Sequence, residues 1–112
     1  MADETRVVLI SDEALGDLHR IFEYGADIFS PDSTEMFVQE LLTKIDNLSN
    51  TYLFHTECRY LETKSQKYRT MSFYSYSTIY RITKIRIEVL AILHSSQSIA
   101  KIKNSRTIKI PG

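Results

Sequence analysis

The stretch YRTMSFYSYSTIYRITKIRIEVLAILH, residues 68–94, decides the fold. Its apolar and aromatic residues recur at every second position, the period of a pleated strand and not of a helix. Residues 68–74 alternate, with Arg69, Met71 and Phe73 on one face and Tyr68, Thr70, Ser72 and Tyr74 on the other. Ser75 to Ser77 reads as a turn, and residues 78–82 and 85–93 read as two further strands. The last is the most apolar: Ile85, Ile87, Val89, Ala91 and Leu93 face one way, with Leu90 and Ile92 on the other. A strand apolar on both faces toward its end belongs inside a sheet.

On the N-terminal side the period lengthens. Arg6-Val7-Val8-Leu9-Ile10 is a short β-branched run and reads as a first strand. Ser11 then supplies a helix N-cap, and Asp12 and Glu13 suit the positive end of a helix dipole. Ala14, Leu15, Leu18, Ile21, Phe22 and Gly25 form one apolar stripe at helical spacing. Ser30-Pro31 stops that helix and caps the next, with Pro31 at the first helical position. Phe37, Val38, Leu41, Leu42, Ile45 and Leu48 make the second stripe, and the short connection implies an antiparallel helical hairpin. The expected fold is therefore α+β in two layers. An N-terminal strand and a helical hairpin pack on a mainly antiparallel sheet of four to five strands.

Beyond His94 the pattern weakens. Ser95-Ser96-Gln97-Ser98 is loop-like, Ile99 to Ile102 is too short to assign, and Thr107-Ile108-Lys109-Ile110 alternates like an edge strand. Residues 1–112 are thus expected to form one domain, with 95–112 a flexible or partner-ordered tail.

The 14 basic and 14 acidic side chains cancel, but they are segregated. Residues 1–62 hold 13 of the acids against four basic residues, a balance of −9. Residues 63–112 hold ten basic residues and only Glu88, a balance of +9. Such a half either faces an anionic partner or is cancelled by the acidic layer folded against it. The acidic start, Met1-Ala2-Asp3-Glu4, lacks the basic and hydrophobic regions of a signal peptide. With no apolar run near the roughly 20 residues of a membrane helix, no membrane partner is expected. The single cysteine, Cys58, cannot form an internal disulfide, which suits a reducing cytoplasm.

Catalytic signatures are sparse. His55 and Cys58 are three residues apart, but His19 and His94 are isolated and four zinc ligands cannot be assembled, so no metal is expected. Three scattered glycines build no phosphate loop, and no cofactor is expected. The strands do interleave Tyr60, Tyr68, Tyr74, Tyr76 and Tyr80 with Arg59, Arg69, Arg81, Lys84 and Arg86. On a sheet face such rings and cations can stack on bases and hold phosphates. Tyrosine is also simply a good strand residue.

Several of these runs resemble a family. Tyr68-Arg69, Ile79-Tyr80-Arg81-Ile82 and Ile87-Glu88-Val89-Leu90-Ala91-Ile92-Leu93-His94 are similar to the C-terminal half of the RelE/ParE toxin superfamily of type II toxin–antitoxin systems. Ala14, Asp17-Leu18, Ile21 and Glu23-Tyr24-Gly25 resemble the first helix of its ParE-like members. The resemblance implies a toxin that binds a cognate antitoxin in a hetero-oligomer. Taken with the interleaved cations, it gives a candidate functional surface of Arg59, Arg69, Tyr80, Arg81 and His94. ParE-like members, to which the chain is nearer, imply DNA gyrase as a target reached by binding, without a catalytic set. RelE-like members imply cleavage of messenger RNA on the ribosome, with cations steadying the scissile phosphate. The chain departs from that pattern after His94, where Ser95-Ser96-Gln97-Ser98 replaces the usual basic residues. A non-toxic member that retains only antitoxin binding is the third alternative.

Overall fold

The computed structural model describes residues 4–112, so Met1 to Asp3 of the acidic start lie outside the described residues. Strand β1 (Val7–Ile10) runs into helix α1 (Asp12–Ile28), then α2 (Pro31–Asp46) and a single turn, α3 (Leu48–Thr51). Strands β2 (Thr56–Glu57), β3 (Tyr68–Phe73), β4 (Tyr76–Ile82) and β5 (Arg86–His94) follow. The chain finishes with α4 (Ile99–Asn104) and a 3-10 turn at Ser105–Thr107. The strands form one sheet in the order β1-β5-β4-β3-β2, antiparallel except for the parallel pair β1 and β5.

The local signals act where they stand in the sequence. The Ser11 hydroxyl accepts the Ala14 amide and caps α1, while Ser30 accepts the Ser33 amide and caps α2 behind Pro31. The stripe residues Ala14, Leu18, Ile21, Leu41, Ile45 and Leu48 are buried against Met71, Phe73, Tyr80, Ile87, Val89 and Ile92. The helical hairpin thus covers one face of the sheet, and β5 lies between β1 and β4.

Because β1 has only four residues, β5 runs on past its partner. Helix α1 takes over there. Ser11 donates its hydroxyl to the Leu90 carbonyl at 2.8 Å, and the Asp17 carboxylate accepts the Ile92 amide at 2.9 Å. Backbone groups that no strand reaches are satisfied by side chains of the helix above them.

Two sequence expectations need correction. The tight turn is Tyr74-Ser75, with Tyr76 and Ser77 already in β4. The strict alternation read for β5 fails at a bulge: Ile79 pairs with Ala91 and Tyr80 with Val89, leaving Leu90 as the extra residue. Ile87, Val89 and Ile92 therefore face the helices, while Leu90, Ala91 and Leu93 face away. A bulge shifts the phase of every side chain beyond it, and all these residues are apolar, so composition cannot reveal the shift.

The second face of the sheet carries its own small core of Cys58, Leu61, Tyr68, Ile79, Leu90, Ala91 and Leu93. The segment after β5 folds back across it. Helix α4 contributes Ile102, and Ile108 packs beside it.

Candidate functional site

Tyr80, Arg69, Arg81, Arg59 and His94 fall into three separate environments. Tyr80 lies fully buried under the helices and donates its hydroxyl to the Tyr52 carbonyl at 2.6 Å. Burial raises its phenol far above the ordinary range, and the nearby Arg69 charge offsets this only in part. Arg69, its cross-strand neighbour, donates to the carbonyls of Gln66 at 2.7 Å, His55 at 2.9 Å and Leu53 at 3.3 Å. These bonds fasten the segment after α3 to β3.

Arg81 sits on the opposite face. It donates from Nε to Glu88 at 2.6 Å and from a terminal nitrogen to the Ile108 carbonyl at 3.0 Å, with the Tyr68 ring 5.8 Å away. Arg86 holds the second Glu88 oxygen, with Nε at 2.8 Å, and reaches the Ile110 carbonyl at 2.5 Å. Burial would raise the Glu88 carboxyl, but hydrogen bonds from the two guanidinium groups outweigh it and hold the group below the usual carboxylate range.

Arg59 and His94 share the rim of a cavity of about 350 Å³, with Ile79, Leu93, Ile102 and Cys58 also in its lining. His94 Nδ1 accepts the Ser96 amide at 3.1 Å and lies 2.8 Å from the Ser96 hydroxyl. The amide hydrogen leaves Nδ1 an acceptor, so a neutral ring carries its proton on Nε2. With the His94 amide donating to Gln97 at 2.7 Å, the residue ends β5 and shapes the turn after it. Burial pushes the Cys58 thiol upward, away from a reactive thiolate, and lowers His55. Among the described residues no three His, Cys, Asp or Glu side chains gather as metal ligands.

A different surface emerges at the closed end of the hairpin, beside the connection between α1 and α2. Ile21, Tyr24, Phe29, Phe37, Tyr74 and Tyr76 contribute to a groove of about 320 Å³. Three of its aromatic residues are strongly exposed: Tyr24 at 62%, Phe29 at 69% and Tyr74 at 78%. Tyr74 also occupies the two-residue turn between β3 and β4 with φ of 54°, a left-handed conformation unusual for a bulky residue. Its ring packs on Phe73 at 4.8 Å and Phe37 at 5.6 Å. Sequence reasoning missed this groove. The available signal was Tyr24 and Phe29, aromatic residues off the apolar stripe of α1.

Of the comparisons with known proteins, one gives the family and another the fold. A family model described as the ParE toxin of the type II toxin-antitoxin system, parDE, matches residues 8–99. A search of curated proteins gives no match. Among solved structures, the chain is similar to one described as the chromosomal ParDE TA system from P. aeruginosa. The superposition has a TM-score of 0.69 at 18% identity and covers 82% of this chain and 98% of that one. At that identity the likeness concerns the fold.

Proposed function

The chain belongs to the ParE toxin family of type II toxin–antitoxin systems, and from that premise we propose that it acts by binding DNA gyrase. A cognate antitoxin neutralises it in a hetero-oligomer in the cytoplasm. The observation that carries binding over RNA cleavage is the state of the three best catalytic candidates. Tyr80 is buried, and Arg69 and Arg81 are committed to carbonyls and to Glu88. Groups with those partners are poorly placed to steady a scissile phosphate or move its protons.

The aromatic groove supports the antitoxin part of the reading. Tyr24, Phe29 and Tyr74 expose large apolar area that a folded monomer gains nothing by displaying. An antitoxin segment that orders on the toxin would bury it, offsetting the entropy lost on ordering. Tyr74 bears on this directly, because its left-handed backbone stores strain that a glycine would relieve.

Purified protein should inhibit supercoiling by gyrase and leave messenger RNA intact in a cell-free translation reaction. Ribosome-dependent cleavage of the message would overturn the proposal. Tyr74→Gly should melt no lower than wild type yet bind the antitoxin about tenfold more weakly, as loss of one well-buried aromatic anchor would. Unchanged affinity by calorimetry would remove the groove from the interface.

A further inference from the structure

The segment after β5 presents a surface that the family match, ending at residue 99, barely enters. Its inner side is latched. Arg81 grips the carbonyl of Ile108, Arg86 grips that of Ile110, and Ile102 and Ile108 pack on the second sheet core. Latching the backbone fixes which way the remaining side chains point.

Lys101, Lys103, Arg106 and Lys109 are all exposed, with the Lys103 ammonium 5.9 Å over the Tyr60 ring. Among the described residues, none of the four lies within ion-pair distance of a carboxylate. Lys67 and Lys84 add cations at the end of the sheet where Arg81 and Arg86 hold the strap. The Lys67 carbonyl accepts the Ile82 amide at 2.7 Å, and Lys84 lies in the turn between β4 and β5, close to the gripping arginines. Glu88, the one acid of residues 63–112, is buried and consumed by Arg81 and Arg86. The folded basic half therefore turns its only acidic side chain inward. Glu57 and Glu62 flank the surface on the Cys58 side, and Glu57 is tied to the Thr63 amide at 2.9 Å.

We propose that this latched strap is a docking surface for the phosphodiester backbone of a nucleic acid. A protein partner would call for several apolar anchors at the centre of the contact, and the strap has turned Ile102 and Ile108 inward, leaving Ile99 at its start as its exposed large apolar residue. A polyanion asks only for exposed, unpaired cations on a fixed backbone, and phosphate contact by Lys and Arg supplies affinity without base readout. The cations belong to this chain's own C-terminal segment, and the inference does not rest on gyrase being the target.

The test is fluorescence anisotropy on the full chain at low and moderate salt, with three probes of matched charge: a short DNA duplex, a single-stranded RNA and a polyglutamate peptide. Binding to either nucleic acid, weakening steeply with salt, supports the proposal, and the preferred probe identifies the source of the phosphates. A quadruple variant, Lys101→Ala, Lys103→Ala, Arg106→Ala and Lys109→Ala, should bind at least about tenfold more weakly and lower the salt slope by roughly three. Lys44→Ala, on exposed α2, should change neither quantity. If the quadruple variant fails to fold, the pairs Lys101→Ala/Lys103→Ala and Arg106→Ala/Lys109→Ala each carry half of the expected loss. Polyglutamate binding as tightly as nucleic acid, or variants that bind like wild type, would overturn it.

Discussion

Arg81 and Arg86 show how a charged side chain is redefined by its surroundings. From the sequence, Arg81 belongs with Tyr80 on a surface for anions; folded, it faces Glu88 and the carbonyl groups of the returning chain. Two guanidinium groups share one buried carboxylate, an arrangement whose value depends on every partner being present. Glu88→Gln should therefore lower the unfolding free energy by roughly 3 kcal/mol, measured by urea denaturation. The same group sets a pH dependence. A carboxyl that binds its proton more weakly in the folded state stabilises the fold above its unfolded value and forfeits that contribution as pH falls. The melting temperature should hold near neutrality and drop as pH falls below the ordinary value of 4.5 toward the lower folded value. Glu88→Gln should flatten part of that drop; an unchanged acid limb would show that the latch does not titrate.

At the scale of elements, the hairpin and β5 illustrate what local signals convey. Both helix starts were legible because a cap acts within three residues, as Ser11 on Ala14 and Ser30 on Ser33 do. Gly25 was legible only as a member of a stripe, and its reason lies in the neighbouring helix. A Cβ placed there would stand 2.7 Å from Thr34 Cγ2 and 2.9 Å from Thr34 Oγ1. Thr34 is itself buried and bonded to the Ser30 carbonyl at 3.0 Å, so it has little room to yield. Gly25→Ala should push the helices apart and cost about 1–3 kcal/mol despite alanine's better helix propensity. Gly25→Ala combined with Thr34→Ser should recover part of the loss in thermal melts. The bulge in β5 is the opposite case. It sits in an apolar run with no change of chemistry to mark it, and it reverses which of Ala91, Ile92 and Leu93 face the helices.

Across the whole molecule, the segregation of charge becomes a two-sided object. The acidic half forms the helical layer and the basic half forms most of the sheet and the strap covering its second face. Covering that face has a measurable consequence. Removing residues 99–112 would uncover the apolar core around Leu90 and leave the Arg81 and Arg86 guanidinium groups without their carbonyl partners. The truncated chain should bind a hydrophobic dye more strongly and melt several degrees lower, by roughly 2 kcal/mol for the area and hydrogen bonds lost. An unaltered melt would show the strap to be peripheral to stability. What the sequence by itself determined is the order of elements, their periods, the caps and the helical hairpin on a mainly antiparallel sheet. All of these arise from interactions within a turn or between alternate residues. Only the tertiary structure decided that Tyr80 and Arg69 bond to main-chain carbonyls, that Arg81 faces Glu88, and that an aromatic groove opens at the hairpin turn. The physical reason is distance along the chain. Tyr80 meets its partner 28 residues away and Arg81 meets one 27 residues away, and no local pattern specifies which buried polar group will find which carbonyl.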